Sequence, residues 1–285
     1  ATAAIVLIYT SNEVTTDFAI ADITETNCAT SDFTTAGNGL VYGSTCTVTA
    51  DSTPTVLVAA DAFSDAYGNT NTVSNTYTWT QDDTSPTMTI TSGTVASGAT
   101  TATAAVVLIY TSNEVTTDFA LVDITETGCS GSDFTTAGNS LVYGSTCTIA
   151  ADGAASVSVA AGTFNDASGN DNTVSNTYSW TQDDTGPTMT ITSATVDSGS
   201  STNTGAAVFV YTSNEVTTDF ALVDITVTEC VNADFTTAGN GLVYGSTCTE
   251  DSNGVTPTVL VAVSKFNDAT GNDNQVSNTY TWTFD

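Results

Sequence analysis

The stretch VSVAAGTFNDASGNDNTVSNTYSWTQDDTGPT, residues 157–188, decides how the chain is read. Val157 and Val159 alternate with Ser156 and Ser158; Tyr178 and Trp180 alternate with Thr177, Ser179 and Thr181. A period of two, with one apolar and one wet face, marks antiparallel strands. Between them lies a run of Asn, Asp, Gly and Ser, which favour turns. The order is strand, loop, strand, acidic linker.

Pieces of this stretch recur along the chain. VSNTY stands at 73–77, 174–178 and 276–280, and SNEVTTDF at 11–18, 112–119 and 213–220. DFTTAGN stands at 32–38, 133–139 and 234–240, and LVYGSTCT at 40–47, 141–148 and 242–249. The period is 101 residues, with one extra residue in the third copy between Cys248 and Phe266. Such a period is too long for a solenoid unit and suits a self-sufficient small domain in tandem. The 285 residues therefore divide into repeats at 1–83, 84–184 and 185–285.

In the middle repeat the strand-like runs begin around Met88 and Ile90. They continue at 104–111 (AAVVLIYT), 119–127 (FALVDITET), 133–137 (DFTTA), 141–149 (LVYGSTCTI), 155–160 (ASVSVA) and 176–181 (NTYSWT). They are short, rich in Val, Ile, Thr and aromatics, and no sustained 3.6-residue period interrupts them. Asn38-Gly39 and Asn240-Gly241 suit tight hairpins. Seven strands in about 100 residues predict an all-β, immunoglobulin-like antiparallel sandwich. The first repeat lacks the first of the seven, because 86–101 (PTMTITSGTVASGATT) has no counterpart before Ala1. That would leave AAIVLIYT, 3–10, as an open apolar edge. A slice of a longer array is the favoured explanation. A strand supplied by a neighbouring subunit and proteolytic loss are the alternatives.

Composition narrows the function. The chain has 31 acidic residues, one basic side chain (Lys265) and no histidine, for a formal charge of −30. Nucleic-acid binding needs several Lys or Arg to neutralise phosphates. Phosphate-cradling lysine motifs, imidazole-based catalytic triads and histidine-ligated zinc are excluded likewise. An anionic membrane surface would repel the chain. No run of eighteen apolar residues suggests a membrane-spanning helix. Yet 40% of the residues are hydrophobic, enough to bury a core.

Each repeat holds two cysteines, Cys28 with Cys46, Cys129 with Cys147 and Cys230 with Cys248, always 18 apart. Recurrence at fixed spacing, without a histidine to complete a metal site, favours one disulfide per repeat over buried free thiols. Disulfides place the protein outside a reducing cytosol.

As a set, PTMTITS, SNEVTTDF, DITET, the Asp-Ala-x-Gly-Asn loop and the Asp-Asp-Thr-x-Pro linker resemble the bacterial Ig-like repeats of large surface and biofilm-associated adhesins. The resemblance covers essentially the whole chain. It implies extracellular fibres, stalks or adhesins, often rigidified by calcium. The cysteine pair and the near absence of Lys and Arg depart from the common pattern.

Strand direction places SNEVTTD and NDASGNDN at the same end of a repeat, facing the QDDT linker from the repeat before. The first junction would gather Asp82, Asp83, Glu114, Asp118, Asp166 and Asp171; the second, Asp183, Asp184, Glu215, Asp219, Asp268 and Asp273. Carboxylates packed this closely repel, and calcium, which takes six to eight oxygen ligands, would cancel the charge. Asn170 and Asn272 could add amide oxygens. Solvated turn residues are the plainer alternative. Glu13, Asp17 and Asp65 form an incomplete set in the first repeat.

Carboxylate pairs can hydrolyse glycosides, but no Arg or His stands by to position a sugar, and an enzyme is not expected. Tyr143, Phe164 and Trp180 suit either a sugar platform or core packing. The main expectation is a structural protein building an extracellular fibre, stalk or filament on a microbial surface. Its partners would be copies of itself or adjoining repeats. The alternative is a calcium-dependent adhesin segment binding glycans or another cell surface.

Overall fold

The computed structural model describes residues 4–250 and 252–285. Repeat 1 comprises β1 (Ala4–Thr10), β2 (Ile23–Thr26), β3 (Ala29–Thr35), β4 (Val41–Thr47), β5 (Thr55–Val58) and β6 (Tyr77–Thr78). Repeat 2 comprises β7 (Met88–Ser92), β8 (Thr100–Thr101), β9 (Ala105–Ser112), β10 (Ile124–Thr127), β11 (Ser130–Thr136), β12 (Val142–Thr148), β13 (Gly153–Val159) and β14 (Tyr178–Gln182). Repeat 3 comprises β15 (Met189–Ser193), β16 (Ser201–Thr202), β17 (Ala206–Ser213), β18 (Ile225–Thr228), β19 (Val231–Thr237), β20 (Val243–Thr249), β21 (Thr258–Val261), β22 (Tyr280–Thr281) and β23 (Thr283–Phe284).

In repeat 2 one sheet runs β11-β12-β9-β7 and the other β10-β13-β14-β8. This is the two-sheet order of an immunoglobulin-like sandwich. Along β9 the even-numbered residues from Val106 to Ser112 point inward and are buried, while the odd-numbered ones face water. Each repeat has its own core: Leu108, Tyr110, Val157 and Trp180 in the second, and Phe209, Tyr211, Val259 and Trp282 in the third. Burying a side chain of this size contributes roughly 1.5–3 kcal/mol. Phe119 sits at the hub of an aromatic cluster, 5.0 Å from Tyr143 and 5.1 Å from Phe164 between ring centroids. Tyr143, Phe164 and Trp180 are all buried, so they are core and not a sugar platform.

Cys28–Cys46, Cys129–Cys147 and Cys230–Cys248 are disulfides, with Cα atoms 5.7, 5.6 and 5.7 Å apart. Each ties the residue just before β3, β11 or β19 to the facing strand β4, β12 or β20.

Several local expectations are corrected. Residues 119–127 are not one strand. Leu121–Asp123 is a 3-10 turn, closed by the Asp123 carboxylate accepting from the Ala120 N–H at 2.8 Å, and β10 follows. Such local capping competes with the sheet ladder. The strand expected at 133–137 starts at Ser130, because a bulge at Asp133 (φ 53°) shifts the register between Ser132 and Thr135. Asn38-Gly39 is not a two-residue hairpin. It lies in the longer 36–40 loop, where Asn38 Oδ1 accepts from the Leu40 and Val41 N–H groups and Gly39 takes φ 68°. An eighth strand, β8, pairs parallel with β14; β16 and β23 do the same in repeat 3.

β5 and β21 begin three residues later than β13, at the positions equivalent to Ser156. Pro54 and Pro257 stand where repeat 2 has Ala155, and proline lacks the N–H a ladder needs.

Repeat 3 departs at one core position. Val48 and Ile149 are replaced by Glu250, which is buried and accepts a hydrogen bond from the Trp282 indole at 2.6 Å. Its second carboxylate oxygen has no partner among the described residues. Exchanging Glu250 for an aliphatic group removes the cost of a half-satisfied buried carboxylate but leaves the Trp282 indole N–H without its acceptor, the state of the Trp180 indole among the described residues. Glu250→Ile, which restores the residue of repeat 2, is expected to raise the stability of repeat 3 by about 1 kcal/mol. Denaturant unfolding of the parent and variant chains checks this, and a loss of stability would show that the Glu250–Trp282 hydrogen bond outweighs the cost of burying the carboxyl group.

Candidate metal centres at the repeat junctions

Each acidic linker enters the end of the following repeat between its two loops. The 113–118 turn and the 165–172 loop of repeat 2 are bridged at Thr116 and Asp166. Asp118 fastens them further by accepting from the Asn165 N–H at 2.9 Å. Asn172, fully engaged, shapes the loop. Its Oδ1 accepts from the Thr163 and Phe164 N–H groups, and its Nδ2 donates to the Ala160 and Thr173 carbonyls.

The linker is held from both sides. From repeat 2, Ser168 Oγ donates to the Asp82 carboxylate at 2.9 Å, and Asn170 Nδ2 donates to the Asp82 carbonyl at 3.1 Å. From repeat 1, Asp51 accepts from the Asp83 N–H at 2.7 Å and from the Thr84 hydroxyl. The second junction repeats the plan. Thr270 and Asn272 bond Asp183, and Asp152 takes the Asp184 N–H at 2.8 Å and the Thr185 hydroxyl. The approach is close: a β-carbon on Gly186 would stand 1.9 Å from the Asp273 carbonyl oxygen, so only glycine fits there.

Carboxylate oxygens of Asp82, Glu114 and Asp166 lie within 4.8 Å of one another, as do those of Asp183, Glu215 and Asp268. The other expected residues stand outside these trios. Asp118 and Asp219 brace the loops through the Asn165 and Asn267 N–H groups. Asp171 and Asp273 accept from the Asn165 and Asn267 side chains at 2.6 and 2.8 Å. Asp83 and Asp184 join the contacts to the preceding repeat. Asn170 and Asn272 present amide N–H groups to the linker carbonyl. Sequence reasoning missed Asp51, Asp152 and Asn172. A recurrent Asp after β4 and β12 was the available signal for the first two.

In repeat 1 the corresponding end holds Glu13, Asp17 and Asp65. There Tyr67, almost fully exposed, occupies the position of Ser168 and Thr270.

The electrostatics of the trios are unbalanced. Burial, followed by repulsion from Asp82, Asp166 and Asp51, holds the Glu114 carboxyl above its usual range. Burial, Asp183, Asp268 and Asp152 do the same to Glu215. One Glu215 oxygen is buried with no donor among the described residues. Burial opposes ionisation at Asp166 and Asp268 too, but hydrogen bonds from the Asn170 and Asn272 side chains and loop N–H groups outweigh it and hold both below 3.8. Hydrogen bonds also lower Asp51, Asp65 and Asp152.

The two sets have opposite pH signatures. Ionising Glu114 and Glu215 costs stability. That cost is absent below about pH 4.5, the unfolded value, and grows as pH rises through their raised values. The lowered aspartates contribute stability above 3.8, and it is lost as pH falls through their depressed values. In divalent-free buffer the thermal midpoint is therefore expected to peak near pH 4 and to fall on both sides. A midpoint flat from there to neutrality would contradict the repulsion at the junctions.

A set of three hard carboxylate oxygens is of the kind a calcium-type ion takes. It does not fit a soft metal, which takes thiolate or imidazole ligands.

Comparison with known proteins settles the family. A family model described as "Bacterial Ig-like domain" matches residues 1–80 and 82–181. The chain belongs to the bacterial Ig-like domain family. Among solved structures, these Ig-like repeats are similar to FdeC, an Escherichia coli adhesin, at 14% identity over 96% of this chain and 92% of that one, with a TM-score of 0.39. They are also similar to invasin, described as a bacterial integrin-binding protein, at 12% identity over 99% of this chain and 60% of that one, TM-score 0.39. InvD of Yersinia pseudotuberculosis is a third, at 16% identity over 72% of this chain and 58% of that one, TM-score 0.31. The match thus spans less than two thirds of invasin and of InvD. No curated relative matches the sequence. No helix among the described residues is long and apolar enough to cross a membrane.

Proposed function

We propose that the chain is a load-bearing stretch of an extracellular fibre or stalk on a bacterial surface, with calcium stiffening its junctions. One observation carries this reading. Both linkers are gripped in the same way, by an aspartate of the preceding repeat and by a loop of the following one, around a carboxylate trio. A linker left free would let the repeats swivel, whereas a cation shared by Asp82, Glu114 and Asp166 couples linker, turn and loop into one unit.

The disulfides suit the same role. They persist in oxidising surroundings outside the cytosol. The strong negative charge keeps the chain soluble and is screened where divalent ions abound. Adjoining repeats of its own kind are the partners this reading requires.

Small-angle scattering of the intact chain tests it. In calcium the particle is expected to be longer and its conformations fewer than in chelator. Identical profiles in the two buffers would mean that the cation does not stiffen the array.

A further inference from the structure

The chain contains three Asn-Gly pairs, Asn38-Gly39, Asn240-Gly241 and Asn253-Gly254, and repeat 2 has Asn139-Ser140 at the position of the first two. Glycine after asparagine leaves the following backbone nitrogen unshielded, because no β-carbon stands beside it. The fold treats these pairs differently.

Asn38 and Asn240 are exposed, in the loops 36–40 and 238–242, and each side chain is folded back along the chain that follows. Asn38 Oδ1 accepts from the Leu40 and Val41 N–H groups at 3.0 and 3.2 Å, and Asn240 Oδ1 accepts from those of Leu242 and Val243 at the same distances. The intervening Gly39 and Gly241 N–H groups donate to no acceptor among the described residues. Asn139 makes the same two bonds, to Leu141 and Val142, but the nitrogen that follows it belongs to Ser140. Asn253-Gly254 is closed in another way: the Gly254 N–H donates to the Phe284 carbonyl at 2.7 Å.

We infer that Asn38 and Asn240 are sites of self-modification to isoaspartate, and that Asn139 and Asn253 are spared. The Gly39 nitrogen gives its proton to hydroxide and bonds to Asn38 Cγ. Negative charge develops on Oδ1, where the Leu40 and Val41 N–H groups already point. The Cγ–Nδ2 bond breaks, and Nδ2 takes a proton from water and leaves as ammonia, which restores the hydroxide and closes a cyclic imide. Water then opens the imide. Attack at Cγ gives aspartate; attack at the main-chain carbonyl carbon gives isoaspartate, with the chain rerouted through the side chain. Nothing is oxidised or reduced. The Gly39 and Gly241 carbonyls accept from the Thr15 and Thr217 N–H groups at 2.8 Å, so the extra backbone atom of isoaspartate falls just ahead of these bonds. Thr217 lies on the turn that carries Glu215; conversion of Asn240 loosens that turn, while its counterpart in repeat 2 is untouched. The inference is independent of a bound cation and is tested in chelator.

The intact chain is kept in mildly alkaline buffer and sampled by peptide mapping with mass spectrometry, isoaspartate being marked with an isoaspartyl methyltransferase. Asn38 and Asn240 are expected to convert about tenfold or more faster than Asn139 and Asn253. In urea the Gly254 N–H is released, and Asn253 is expected to convert like the other two. Ser140→Gly is expected to bring Asn139 up to their rate, and Gly241→Ser to protect Asn240. The loop accepts serine there, since Ser140 itself takes φ 54°. Amide exchange at Thr217 is expected to be faster in the converted chain than in the fresh one; unchanged exchange would overturn the loosening. Equal rates at Asn240 and Asn253 in the folded chain, conversion confined to urea, or a Ser140→Gly variant that leaves Asn139 intact overturns the assignment of the sites.

Discussion

Removing the disulfide of repeat 2 by Cys129→Ala with Cys147→Ala is expected to destabilise that repeat by about 3 kcal/mol. The cross-link closes a loop with a sequence separation of 18 and so restricts the unfolded chain. Small domains have total stabilities of roughly 5–15 kcal/mol. The loss is therefore a large fraction, equivalent to a drop of roughly 10–25 °C in the thermal midpoint. Cys147 itself is completely buried in the core, so the truncation adds a packing loss of the same sign. Calorimetry of the parent and variant chains separates the melting of repeat 2 from that of its neighbours. A midpoint shift of a degree or two would mean that the strand pairings already confine the loop.

Saturating calcium is expected to stabilise the two junctions and the repeats they enter. At a hundredfold excess over its dissociation constant the gain is about 2.7 kcal/mol per site. Repeat 1 is expected to respond least, since Tyr67 replaces the linker-binding Ser168 and Thr270. The sharper signature lies in the variant Asp82→Asn with Glu114→Gln. In divalent-free buffer near neutrality it is expected to be more stable than the parent, because the repulsion that raises Glu114 has been removed. In calcium it is expected to be less stable, because the ligands are gone. A cation site produces this crossing of the two curves; a merely solvated acidic turn does not. Parallel curves in the two buffers would argue for the solvated turn.

Much of the architecture was legible in the sequence because it rests on repetition and on period-two alternation. Residues 104–111, 155–160 and 176–181 name their own buried faces, and three copies of each reduce accident. Strand direction then brought the 113–118 turn, the 165–172 loop and the linker together. The details that escaped depend on single side chains bonding to backbone. Asp123 converts the start of an expected strand into a 3-10 turn. Asp133 hides a bulge inside a continuous Thr-rich run. The parallel β8 pairing involves two threonines with no apolar pattern to announce it. At the junctions, charge and spacing gathered six residues into each set. Only side-chain direction divides them into the inward trio, the braces Asp118 and Asp219, and the contacts to the preceding repeat. Asp51 and Asp152 lie about 30 residues before the linkers they hold, beyond the reach of a local motif.

Calorimetric titration of the intact chain with calcium tests the central claim most directly. The account requires two sites, one for each trio, with Asp82→Asn and Glu114→Gln together abolishing one and leaving the other. No saturable uptake, or uptake that this double substitution leaves at two ions per chain, would contradict it.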